Sequence, residues 1–340
     1  MTTLRGGAGL RIHFTAQDLV RTRISTRPDT LWELVLSLLR LQTLRPSGRL
    51  SPPVPPDVIE WRASTLSRLS GRALGQALNH HVLPLTPVSS YFPDFLTPGT
   101  GLADLAPGLD MVLSTPRERI GQELGILTTR SGTPSWGADL AAGNRDALHL
   151  LGATLRSYHA TALAPCWPAI TARIAAERTR LTGVLTTSGA EGSLSALRPF
   201  AEWHPTERIL EARYPVAMDI HLQGRGLTLI PSWFCHATPV ALADPALPPV
   251  LIYPITHDPP PAIDPAALTK LIGPTRAKVL TTITTGTPTS LIQHRTGISA
   301  SQISRHAAVL RDNNLITEAR HAGHTFYTRT PLGHVLTAGH

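Results

Sequence analysis

The sequence predicts an α+β chain, mostly helical, in two domains that meet near residue 260. Three observations carry the prediction. Apolar residues recur at helical spacing from residue 28 to about 200. From 203 to 257, glycines and prolines separate short β-rich runs. From 274 to 330 the order is helix, helix, glycine turn, helix, hairpin. The expected fold is an N-terminal helical domain (1–200) with a small antiparallel sheet (203–257), together 1–260. A C-terminal winged helix-turn-helix follows at 261–340.

The N-terminal elements follow from local signals. LRIHF reads as a strand, and Thr15 caps a short helix with Asp18 three residues on, close to a capping box. Arg23 to Ser25 reads as a second short strand. Pro28 opens a helix to about Gln42, with Leu31, Val35, Leu38 and Leu39 on one face. Residues 45–57 form a proline-rich loop that neither a helix nor a central strand accommodates. A second amphipathic helix runs from about Asp57 to His81, and short helices are expected near 101–107 and 116–127. A long helical stretch from about 144 to 163 is broken by Pro165 and Pro168 and resumes to about Thr187, leaving SGAEGS at 188–193 as a loop. The β-rich runs are ILEARYPV, AMDIHL, GLTLIPSWF and PVLIYPIT, with Gln223 to Gly226 as a hairpin turn. DPPPAIDP at 258–265 is a linker stiffened by proline.

The C-terminal stretch is the most informative. A helix follows Pro274, then a short one from Pro288 to Thr296 with proline in its first turn, then the Gly297 turn. The third helix runs from a Ser299 cap to about Asn313. Ile303, Ala307 and Leu310 share one face by the i, i+4, i+7 rule and are expected to pack inward. Ser301, Ser304, Arg305 and Ala308 point the other way. That small polar face suits close approach to a duplex, with serines toward phosphates or base edges and Arg305 toward guanine. A hairpin bent at Ala322-Gly323 closes the unit and carries Arg320, His321 and His324 near its turn. Between 274 and 330 seven basic residues stand against Asp312 and Glu318, an excess of five in a chain whose total is +8. Local positive excess is what phosphate neutralisation requires. The candidate DNA-binding residues are Ser299, Ser301, Gln302, Ser304, Arg305, Arg311, Arg320, His321 and His324.

Composition narrows the remaining classes. With 42% hydrophobic residues the chain is globular. Cys166 and Cys235 are isolated, which argues against a disulfide framework or zinc ribbon and fits a reducing compartment. No run of eighteen apolar residues is present and MTTLRGGAGL lacks an apolar signal core, so a cytoplasmic protein with no membrane partner is expected. Phosphate-loop, HExxH and GxSxG signatures are missing, so no catalytic residue, cofactor or metal ligand is assigned. Asp219 and His221, two apart on one strand, face one side, as an acid–base pair, half a metal site or plain strand residues, with no third partner. The aromatics of 91–98 and 231–234 read either as core anchors or as a pocket wall.

GISASQISRHAAVLRDNNLI resembles the recognition helix of ArsR-type winged-helix repressors. The matching positions are Gly297, Ile298, Ser299, Ile303, Ser304, His306, Val309, Leu310, Arg311, Leu315 and Ile316, within roughly the last seventy residues. Ala300 departs from the pattern, since many members carry a polar residue there, and the thiolate metal motif has no counterpart in TSLIQHRTG. The whole chain resembles long ArsR-like regulators of high-GC bacteria through IHFTAQDLVRTRI, RPDTLWELVLSLLRLQ, YFPDFLTP, GRGLTLIPSWFC and LPPVLIYPI. The resemblance implies a one-component transcriptional regulator, a repressor or an activator, and because one such module covers few base pairs it is expected to hold operator DNA as a homodimer. A small organic effector would act through the N-terminal domain. The alternative is an enzyme of unknown chemistry with an appended DNA-binding domain.

Overall fold

A computed structural model describes residues 9–43, 54–88, 91–98, 104–131, 136–242, 244, 246–256, 265–284, 286–321 and 323–337. The expected loop at 45–57 lies outside these up to residue 53, and its last two residues, Pro56 and Asp57, instead open a helix; the linker at 258–265 lies outside up to residue 264. The chain is α+β and mostly helical, and it divides into two compact units, Met1–His257 and Asp258–His340.

The first unit opens with β1 (Gly9–His13), α1 (Ala16–Arg21), β2 (Arg23–Ile24) and α2 (Thr30–Gln42). Helices α3 (Pro56–Leu69), α4 (Ala73–Ala77), α5 (Leu105–Leu113), α6 (Arg117–Ser131), α7 (Gly137–Ala141), α8 (Arg145–Tyr158) and α9 (Trp167–Ser195) follow. Strands β3 (Ala201–His204), β4 (Ile209–Arg213), β5 (Met218–His221), β6 (Thr228–Ser232), β7 (Val240–Ala241) and β8 (Val250–Pro254) complete it. Helix α2 is central. Thr30 to Leu38 is buried on every side, not along one stripe. Ser37 and Glu33 find partners inside the unit, as burial demands. Ser37 Oγ lies 3.0 Å from the Tyr158 hydroxyl, and the Glu33 carboxylate accepts from the backbone N–H groups of Trp233 (3.0 Å) and Phe234 (3.2 Å).

The expected small antiparallel sheet is instead two mixed sheets that recruit the N-terminal strands. One has the order β3-β4-β1-β5, with β1 antiparallel to β4 and parallel to β5. The other has the order β2-β6-β8-β7, with β2, β6 and β8 parallel. All five residues of both β6 and β8 are buried, the pattern of strands covered on both faces. The Gln223–Gly226 turn therefore joins two sheets and is no hairpin. Its path is fixed by α1. The capping box of Thr15 and Asp18 forms as expected, and the fully buried Asp18 also accepts from Gly226 N at 2.8 Å. Burial opposes the ionised form of Asp18, yet hydrogen bonds from Thr15, Gly226 and Gly224 hold its carboxyl below the usual range. Gly226 has φ 75, and a Cβ there would lie 2.5 Å from the Arg21 carbonyl oxygen, so only glycine fits.

Three further expectations shift. The break between α3 and α4 falls at Ser70–Arg72, inside the expected helix of 57–81, where Gly71 has φ 67. Residues 188–193 are not a loop: α9 continues to Ser195 across a kink at Gly189, whose φ of 68 leaves the helical region. Strands β3 and β7 were not anticipated. Among the described residues, no helix is long and apolar enough to cross a membrane.

The second unit comprises α10 (Pro265–Ile272), α11 (Pro274–Thr282), β9 (Thr287–Pro288), α12 (Thr289–Thr296), α13 (Ala300–Asp312), β10 (Ile316–His321), β11 (His324–Arg329) and α14 (Pro331–Thr337). Strands β10 and β11 form the expected hairpin, and β9 adds a third strand, Tyr327 pairing with Thr287 and Phe326 with Pro288. Pro288 thus sits in a strand and at the N-cap of α12, not in the helix's first turn. Its ring leaves that position without an N–H, which an edge strand tolerates.

Candidate nucleic-acid interface

The phase of α13 sets the candidate surface. Ile303, Ala307 and Leu310 are buried and join Val279, Leu280, Ile283, Ile292, Leu315, Ile316 and Tyr327 in one core. Ser301, Gln302, Ser304 and Arg305 are all exposed, and Ala308 is half-buried. Both ends of the helix are fixed by local chemistry. Gly297 takes the left-handed conformation (φ 74) that ends α12, and its N–H donates to the Gln293 carbonyl at 2.8 Å. The Lys278 ammonium donates to the Thr296 carbonyl at 2.9 Å. At the far end Asn314 is left-handed (φ 56). Its N–H donates to the Arg311 carbonyl and the Leu315 N–H to the Leu310 carbonyl, each at 2.8 Å. This is a Schellman stop with asparagine in place of glycine.

Ser299 occupies the N-cap position by backbone, but its side chain makes no capping bond. The hydroxyl instead donates to Gln302 Oε1 at 3.2 Å and lies 3.3 Å from Ser301 Oγ. The expected hydroxyl cap is therefore corrected: the hydroxyl is turned to donate its proton to Gln302, one turn on, and accepts from no backbone N–H of α13.

The seven basic side chains separate by partner. Arg276 donates to the Ile272 carbonyl, and Arg329 donates to Thr337 Oγ1. With Lys278 these serve their own unit. Arg311 contacts Glu318 at 3.0 Å and Asp312 at 3.4 Å, and Arg320 lies 3.5 Å from the other Glu318 oxygen. Arg295 and Arg305 are exposed, with no carboxylate partner among the described residues. Arg305 is thus the long basic side chain on the outward face of α13 whose charge is not offset locally. His321 and His324 form the last register pair of the hairpin beside Gly323 (φ 79). The expected reach of their side chains falls outside the described residues.

The first unit holds a second polar cluster. In the β1–β5 pair, His13 stands opposite His221 and Arg11 opposite Asp219. The imidazoles of His13 and His221 stack at 4.2 Å, and His13 Nε2 lies 2.7 Å from Asp219 Oδ1. That hydrogen bond holds the Asp219 carboxyl below the usual range. His13 is the third partner that strand spacing alone did not name. Its distance of 206 residues along the chain leaves no local signal. Among the described residues, no group of three or more side chains is arranged to hold a metal. Beside the cluster lies a cavity of about 500 Å³ lined by Asp219, His221, Gln223, Arg225, Leu242 and Leu247, among others. The aromatic segments serve as core anchors. Tyr91, Phe95, Trp233 and Phe234 are core residues, and Trp61 packs edge-on to both Trp233 and Phe234.

Comparison with known proteins gives no matching family model, no matching curated protein and no matching solved structure.

Proposed function

We propose that the chain is a DNA-binding transcriptional regulator of the ArsR-like, one-component kind, whose second unit is a winged helix-turn-helix. The observation that carries the reading is the two-sided character of α13. One face is buried through Leu310, and the other offers Ser301, Ser304 and an exposed Arg305 with no carboxylate partner among the described residues. In the proposed complex α13 enters a major groove. Serines take phosphates or base edges, and Arg305 takes guanine O6 and N7. The three-stranded sheet and its hairpin would lie beside the groove, where Arg320 reaches the backbone. The regulator works as a cytoplasmic homodimer on two half-sites and represses by occupancy.

An effector would act through the first unit. The cavity beside Asp219 and His221 is of the size that takes a small organic molecule. Its binding shifts operator occupancy only by favouring one of two states, so effector and DNA affinities are reciprocally coupled.

A second reading, an enzyme with an appended DNA-binding unit, is favoured by one observation. Asp219, which lines that same cavity, is held at 2.7 Å by the His13 imidazole behind it, an arrangement that could orient a general base. Turnover of candidate metabolites that Asp219→Asn abolishes would support it.

The test of the main reading is duplex binding against salt. Log K is expected to fall linearly with log salt, by about 0.9 for each phosphate neutralised. A flat response, or no binding at low salt, refutes the reading.

A further inference from the structure

Glu318 touches both arginines that flank the helix–hairpin junction. Its two oxygens lie 3.0 Å from Arg311 Nη1 and 3.5 Å from Arg320 Nε. The three come from two elements: Arg311 from the last turn of α13, Glu318 and Arg320 from β10. Glu318 is itself the least accessible of the three, 19% exposed against 48% for Arg311 and 82% for Arg320. Its strand register sets it opposite Tyr327, which is buried. The carboxylate is held in place by the fold, and the arginines reach toward it. Asp312 adds a second carboxylate at Arg311. Two positive and two negative charges thus meet at one corner of the unit, and the local sum is zero.

We propose that Glu318 is an electrostatic brake on DNA binding, a residue that sets how much salt releases the protein from any duplex. This rests on the DNA-binding reading above. Phosphate and Glu318 compete for the same guanidinium groups. Exposed ion pairs of this kind are weak, so phosphate can displace the carboxylate. The displaced carboxylate then remains near the phosphates and repels them. Arg311 and Arg320 consequently contribute less to phosphate affinity than their charge suggests. Phosphate contacts carry no base information. The brake therefore weakens operator and random DNA alike, while Arg305 retains the discrimination between them. A regulator has to leave the vast excess of non-specific sites, and a built-in counter-charge shortens its stay there.

The test uses the full chain and a fluorescent random-sequence duplex, titrated from about 50 to 200 mM salt, the range over which such contacts are read. Glu318→Gln keeps the volume and one hydrogen-bond acceptor and removes the charge. It is expected to bind several-fold tighter at the low end, with a log–log slope steeper by about 0.9 to 1.8, one to two further phosphates. Arg320→Ala should cost more in the Glu318→Gln background than in the wild type. Asp312→Asn, at an exposed helix end, should shift affinity the same way by less, and it carries the test should Glu318→Gln fail to fold. An unchanged slope and affinity in a folded Glu318→Gln protein, or equal Arg320→Ala losses in both backgrounds, would overturn the brake and leave the DNA-binding reading standing. Absence of salt-dependent binding by the wild type would overturn both.

Discussion

Replacing Glu33 by glutamine should flatten the pH dependence of stability in the first unit. The residue is 1% exposed, in the first turn of α2. Burial pushes its carboxyl up to about 7, against the opposing hydrogen bonds from Ser232, Trp233 and Phe234. Its pKa in the unfolded chain is the ordinary 4.5. The folded state therefore binds the proton more tightly than the unfolded state. The stability this contributes is complete below pH 4.5, is lost as pH rises through the folded value, and is gone above about 7. At about 1.4 kcal/mol for each tenfold change in proton affinity, the loss across that window is roughly 3 kcal/mol. Glutamine is neutral throughout. Its single carbonyl can serve only one of the two backbone N–H groups, so Glu33→Gln should be destabilised at pH 4.5 by about 1–3 kcal/mol. Above pH 7 that deficit should shrink or reverse. The assay is urea unfolding of both proteins at closely spaced pH values, with the difference in stability plotted against pH, so that every other titrating group cancels. A difference that stays constant across the window would refute the assignment of Glu33 as a carboxyl protonated by burial.

Two predictions concern the proposed interface. Arg305→Ala should cost roughly 1–3 kcal/mol at the operator and less on random DNA, whereas Arg320→Ala should weaken both about equally; an unchanged specific-to-random ratio for Arg305→Ala in competition binding would dismiss α13 as the reader. One α13 reads only a few base pairs, so light scattering should find a homodimer and footprinting an inverted repeat with half-sites about one helical turn apart. A monomer bound one-to-one would contradict that.

What could be read from the sequence was what near neighbours along the chain decide. The capping box at Thr15 and Asp18 needs three residues, and the inward face of α13 needs only the spacing of Ile303, Ala307 and Leu310. Gly297 announces its own left-handed turn. Asn314 does the same less openly, because asparagine tolerates that conformation without requiring it. Two local signals resolved against expectation. The glycines of 188–193 suggested a loop, but only Gly189 leaves the helical region. Ser299 carried a capping hydroxyl, but it donates to Gln302 and accepts from no backbone N–H of α13.

The sequence by itself determined that the chain is mostly helical, where its last three-helix-and-hairpin segment lies, and which face of α13 is apolar. Periodicity and caps act over three or four residues, so those properties are already present in the chain before it folds. Tertiary structure alone decided that β1 lies between β4 and β5, that Gln223–Gly226 crosses between sheets, and that α2 is buried all round. It also decided that His13 meets Asp219 across 206 residues and that Glu318 offsets Arg311 and Arg320. A strand's edges accept any partner with a matching pattern. A charge's neighbours depend on how remote segments pack, and neither is written in the spacing of the residues concerned.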